Sequence, residues 1–313
     1  MLSSLSYRRI TFCNHRFKFF PLLIVLSYFI SMQTGCVSLA TMVDENLVKP
    51  YKKAPYLGAI PNRPDNAMTG SQFIRYSKRL SKASREKAIL TELRRGNIPD
   101  FLRNLEPVTF QIKRRGKVVR SGKIFVMPDY LAIGSNDDFI RIPMNPITAQ
   151  KIADHYGFVL PTKKMVDRIY QSADIKLKPS YLSPGPAMVS SRYYERHNYI
   201  INQTLGDRAF EGLIAGHKKD VVVTNKLEKK RRRVAIYGWH RPNGRPVQPL
   251  STIHNDFYAD YSHGVRLVAG TMIYNGREIP VVEVLQDRNK AWLLNDEGSL
   301  IHTRQRTWKV TTR

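Results

Sequence analysis

The sequence predicts an α+β protein with two β-rich parts flanking a helical insert. Three observations lead there. Apolar residues make up 42% of 313 residues, enough for a sizeable core and too many for a disordered chain. Apolar and polar side chains alternate with period two in 107–142 and again in the last third, while the stretch between carries helical spacing. Alternating strand–helix–strand units are not visible, and GxGxxG, P-loop and HExxH motifs are missing, so a parallel doubly wound sheet is not expected.

The elements follow in order. Residues 1–20 hold Arg8, Arg9, Arg16 and Lys18 and no acid, and 21–32 are mostly apolar. That run is too short for a spanning helix, which needs about 20 residues. Residues 1–35 therefore read as a secretory signal. Pro50, Pro55, Pro61 and Pro64 make 36–70 a flexible tether. An N-terminal β-rich part with helical segments then spans 71–177. Its helix over 81–95 starts at the N-cap Ser81 and stops at Gly96. Val108 to Ile112 alternates, Arg115-Gly116 turns the chain into 117–127, and 130–134 and 139–142 are shorter strands. Asn136-Asp137-Asp138 reads as a turn. Helices are expected over 148–156 and 163–173. The proline-rich loop 178–186 marks the best internal boundary. The C-terminal β-rich part, 187–313, carries expected strands at 220–224, 233–238, 258–268 and 278–285.

Charge narrows the partners. Lys and Arg number 51 against 25 Asp and Glu, a net +26. Residues 1–35 hold four of these bases and no acid, so the rest of the chain keeps +22. Such a field attracts anions. Behind an export signal the expected partner is a cell-envelope polymer or an anionic membrane surface, and nucleic acid is set aside. Lys229, Lys230, Arg231, Arg232 and Arg233 form the densest run, read as an anion-binding set or as a solvated hairpin loop. Two cysteines exclude a disulfide-stapled scaffold and a Cys-rich zinc module.

Half of the eight histidines (His217, His240, His254 and His263) fall in 217–263. Histidine exchanges protons near neutral pH more readily than other side chains, so this window is the expected site. Taken as a strand, 258–268 puts Ala259, Tyr261, His263, Val265 and Leu267 on one face. Tyr258, Asp260, Ser262 and Arg266 fall on the other, with Asp260 and Arg266 as site groups or as a surface ion pair. His217, His240, His254 and Asp256 have the residue types of a metal site, for which zinc would be the cofactor, although spacings of 23 and 14 match no compact ligand motif.

Two resemblances add to this. Gly35-Cys36 after the apolar run resembles the lipobox of bacterial lipoproteins. It implies cleavage before Cys36, lipidation of Cys36 and a membrane anchor. Val37, rather than Asp, points by the same analogy to the outer membrane or cell surface. Ser262-His263-Gly264-Val265-Arg266, preceded by Ile236-Tyr-Gly-Trp-His240, resembles the Ser-His-Gly-Cys-x-Arg signature of the L,D-transpeptidases. Here Val265 replaces the nucleophilic cysteine that covalent acyl transfer requires, so no catalytic residue carries over from that family.

The expectation is an exported envelope lipoprotein hydrolysing cell-wall or envelope glycan or peptide through activated water. His263 would be base or ligand, with His240 as its counterpart. Asp256 or Asp260 would orient it, Arg266 would anchor an anion, and Trp239, Tyr258 and Tyr261 would bind substrate. The alternative is a non-catalytic binding or structural lipoprotein that uses its basic surface and keeps the histidines as core.

Overall fold

The computed structural model describes residues 60–206, 208 and 212–305. The expected signal, Cys36 and most of the expected tether lie outside them. The described chain is α+β. Helices α1 (Gly70–Ser77) and α2 (Lys82–Arg94) lead into a long hairpin, β1 (Glu106–Arg114) and β2 (Lys117–Val126), and a short one, β3 (Ala132–Gly134) and β4 (Phe139–Arg141). The middle holds α3 (Pro146–Tyr156), β5 (Phe158–Val159), α4 (Lys163–Ser172), β6 (Ile175–Lys176) and α5 (Ser191–Leu205). Then come β7 (Ile214–Ala215), β8 (Lys219–Val221), β9 (Ile236–His240), β10 (Pro246–Ser251), β11 (His263–Gly264) and β12 (Val268–Ala269). The strands β13 (Thr271–Tyr274) and β14 (Arg277–Pro280) precede α6 (Val281–Gln286).

Local chemistry explains the boundaries. Ser81 Oγ accepts the Ser84 N–H at 3.1 Å and starts α2. Asn145 does the same for α3 through Thr148, and Gly157, at φ 70°, ends that helix in the left-handed region where glycine costs least. Arg115 and Gly116 both have positive φ, the two-residue turn that matches strand twist. Residues 60–69, expected as tether, pack on the body. Ile60 and Ala67 are buried, Arg63 donates to Asn97 and to the Ala67 carbonyl, and Thr69 closes a capping box with Gln72.

Both β-rich parts enter one antiparallel sheet. β2 pairs with β1 along its length and with β12 and β13 from the C-terminal part. Its apolar side chains Ile124 and Val126 join Val108, Ile152, Tyr194, Val265 and Leu267 in a single core. A second sheet runs β10-β9-β8-β11. β8 is its centre: Lys219 is in register with Gly238 of β9 on one side and with His263 of β11 on the other.

Two expected strands are corrected. The 258–268 segment is not a continuous strand. Asp260 accepts both the backbone N–H and the hydroxyl of Ser262, and the His263 N–H returns to the Asp260 carbonyl. This turn leaves only His263–Gly264 and Val268–Ala269 as strands. The 278–285 run becomes helix after Pro280, because its apolar Val281, Val284 and Leu285 dock at helical spacing. Helices α1 and α5 were not anticipated. In α5 the buried side includes Tyr194, His197, Asn198 and Ile201, a face too polar to show in an apolar pattern.

At Gly264 the backbone passes close against neighbouring side chains. A Cβ there would meet the Tyr130 ring at 2.5 Å and Lys218 Cβ at 2.9 Å. Gly264→Ala is expected to cost about 1–3 kcal/mol by overpacking, read as a fall of several degrees in Tm. An unchanged Tm would mean the ring moves freely.

Candidate functional site

Strand alternation divides the four residues His217 to Asp220. Lys218 points inward. Its Nζ donates to the Tyr261 carbonyl at 2.8 Å and meets His197 Nδ1 at 3.3 Å. Burial, with Arg141 adding repulsion, pushes this lysine down to about 7. Lys219 points the other way, with its ammonium 5.0 Å from the Trp239 ring centre.

Around Lys219 lies a contiguous cluster. Tyr258 donates to Asp260 at 3.1 Å, and Ser262 holds the other carboxylate oxygen through N–H and hydroxyl at 2.8 and 2.5 Å. Burial pushes the Asp260 carboxyl up, but His263, Ser262 and Lys219 outweigh it and hold it below the ordinary range. His263 Nε2 lies 3.9 Å from Asp260. The His263 ring has no exposure, and neither of its nitrogens has a hydrogen-bond partner among the described residues. Burial holds it down at about 4, so the ring is neutral at pH 7. Tyr258 lies edge-on against it at 5.6 Å, and His254 stacks on Tyr258 at 4.0 Å. Both are half-exposed. On the other side Trp239 meets the exposed Tyr181 edge-on at 4.8 Å. Trp239 sits at φ 57°, a strained conformation for a bulky side chain, and its buried indole N–H has no partner among the described residues.

The expected site residues thus separate. His263, Asp260, Tyr258 and Trp239 share this cluster, which His254 joins. His240 does not: β8 stands between β9 and β11, and His240 Nε2 instead meets Asp167 of α4 at 3.0 Å and stacks on Tyr170. Tyr237 and Lys163 also bind Asp167, which opens on a groove of about 690 Å³ lined by Ile112, Lys113, Lys164 and Arg168. Arg266 is neither an anion anchor nor a surface ion pair. It is fully buried, donates to the Met127 and Ile214 carbonyls and covers the Tyr130 ring. Tyr261 is buried, with its hydroxyl accepting from Leu182 N–H. Asp256 is buried, with one oxygen unpartnered among the described residues. The expected metal set disperses: His217 goes to Asp129, His240 to Asp167 and His254 to Tyr258. Among the described residues no group of three or more such side chains could hold a metal ion. The residues 229–233 are all exposed in the connection between β8 and β9.

Sequence reasoning missed Lys219 and Tyr181 as site groups. Lys219 was visible only as one charge among many, and Tyr181 reaches Trp239 from a loop with no periodic signal. No protein-family model, curated protein or solved structure matches the chain.

What the cluster offers is a neutral buried base beside an ionised, triply hydrogen-bonded carboxylate, with an ammonium near both. On taking a proton, His263 would gain Asp260 as its counter-ion.

Lys218 gives a pH prediction. Its folded pKa, about 7, lies below the unfolded value of about 10.4. Between these the unfolded chain binds more protons, so stability rises with pH. The urea midpoint should increase from pH 7 to 9, at up to about 1.4 kcal/mol per pH unit from this lysine. Lys218→Met should flatten that rise. A midpoint that falls over this range in the parent would contradict a buried lysine.

Proposed function

We propose that this is an exported envelope protein that hydrolyses an acyl bond in envelope peptide, with His263 as general base. The carrying observation is the buried His263 ring, with both nitrogens unpartnered among the described residues, 3.9 Å from an ionised Asp260. His263 would take the proton of an attacking water. Asp260, fixed by Ser262 and Tyr258, would stabilise the imidazolium. Lys219 would face the negative charge that develops on the carbonyl oxygen. Glycosidic hydrolysis usually needs paired carboxyl groups; here the carboxylate is paired with a histidine, which favours amide or ester chemistry. Since His263 has no exposure, substrate would enter by displacing the half-exposed Tyr258–His254 stack. The basic sequence from 1–20, the apolar run and Gly35-Cys36 support the envelope location. Among the described residues no helix is long and apolar enough to cross a membrane.

The enclosure of His263 also favours a second reading, a non-catalytic envelope-binding lipoprotein in which the ring is core. Release of soluble fragments from purified sacculi separates the two. The parent should release products, and His263→Asn or Asp260→Asn should lower the rate by about 10²-fold or more. His240→Asn should keep most of the activity. Salt-sensitive sacculus binding without product would select the second reading, and full activity of His263→Asn would remove the first.

A further inference from the structure

We propose that the surface formed by residues 229–233 and 253–257 docks the protein on a bilayer carrying anionic headgroups. The inference stands apart from the chemistry at His263. Ile253 and Phe257 are 73% and 57% exposed, and Ile253 is the most exposed large apolar side chain among the described residues. Both sit on a stretch that is tied down. Arg233 donates to the Ile253 carbonyl at 2.5 Å and is bridged to Asn255. The Asp256 N–H donates to the Arg232 carbonyl at 3.1 Å. The Arg232 guanidinium stands 5.4 Å from the Phe257 ring centre.

Two apolar side chains are therefore presented in water beside five exposed cations, Lys229 to Arg233. Asp256 is the only acid of the two segments, and it is buried. This combination has the chemistry of an interfacial contact: cations at the headgroups, apolar tips in the acyl boundary. A hydrated anionic polymer would satisfy the cations but offer nothing to Ile253, which neither stacks on sugars nor bonds to them; a bilayer satisfies both. Ile253 and Phe257 directly precede His254 and Tyr258 in the chain, so docking would put the stack over His263 at the membrane face.

A spin label tests this in the full-length chain. Cys13→Ser and Cys36→Ser remove both native thiols and any acylation, and Ile253→Cys carries the label. Tyr199→Cys, at a side chain 63% exposed on α5, is the control. With phosphatidylglycerol-containing phosphatidylcholine vesicles, the label at 253 should become accessible to oxygen and shielded from a water-soluble nickel chelate, while the label at 199 stays aqueous. Pure phosphatidylcholine should give a much weaker change. Lys229→Gln, Lys230→Gln and Arg231→Gln together should weaken this insertion about a hundredfold, at about fivefold per cation. A label at 253 that stays as aqueous as that at 199 while the protein sediments with vesicles would overturn the proposal. So would an Ile253→Ser, Phe257→Ser variant that binds vesicles and a soluble anionic polymer as the parent does, because the surface would then be purely electrostatic.

Discussion

The rest of the structure depends on one buried carboxylate. Asp129, with no exposure, accepts from Arg141 Nε at 2.6 Å, from His217 Nε2 at 3.0 Å and from the Tyr130 N–H at 2.6 Å. Burial pushes its carboxyl up, but the Arg141 charge and the His217 contacts hold it well below the usual range. Burial keeps His217 itself at about 4, so at neutral pH it serves as a neutral donor and the charge balance rests on Arg141. Arg141 reaches on to Asn198 and Asn202 of α5. One anion thereby ties the hairpin region, the helical middle and the start of the second sheet. Removing one partner of such a pair strands a charge, at about 3–5 kcal/mol.

That constraint sets the chain entering β8. With His217 held by Asp129, alternation sends Lys218 inward and Lys219 outward. Inward, a lysine is enclosed at the cost of part of its charge. Outward, an ammonium lies over Trp239 and faces Asp260 and His263. Across the sheet, Gly238 and Trp239 both take positive φ, and the Trp239 N–H donates to the Lys218 carbonyl. Backbone strain there is balanced by the ladder bond and by the cation on the ring.

Much of the fold was legible. Ser81, Arg115-Gly116, Gly157 and the prolines after β4 act through local chemistry, so the elements they bound can be read without knowing the neighbours. The 258–268 segment could not be read that way. Its alternation is real, but Asp260 bends the backbone through hydrogen bonds to Ser262 that no period reports. Helix α5 buries a histidine and an asparagine whose partners come from distant residues. For the site, histidine clustering pointed to the stretch in which His263, Asp260, Tyr258 and Trp239 lie together in the fold. It also grouped His240 with His263, because sequence proximity does not show that β8 lies between them. Arg266 was read as an anion anchor since nothing local reveals that carbonyls of Met127 and Ile214 wait for it.

At the centre of the proposed site His263 is a neutral, enclosed base held beside an ionised Asp260. Following the ring nitrogens of His263 by ¹⁵N–¹H NMR from pH 8 downward tests this most directly. The neutral imidazole pattern is expected to persist until the pH approaches about 4. Protonation near the ordinary histidine value of about 6.5 would show a solvated ring and contradict the account.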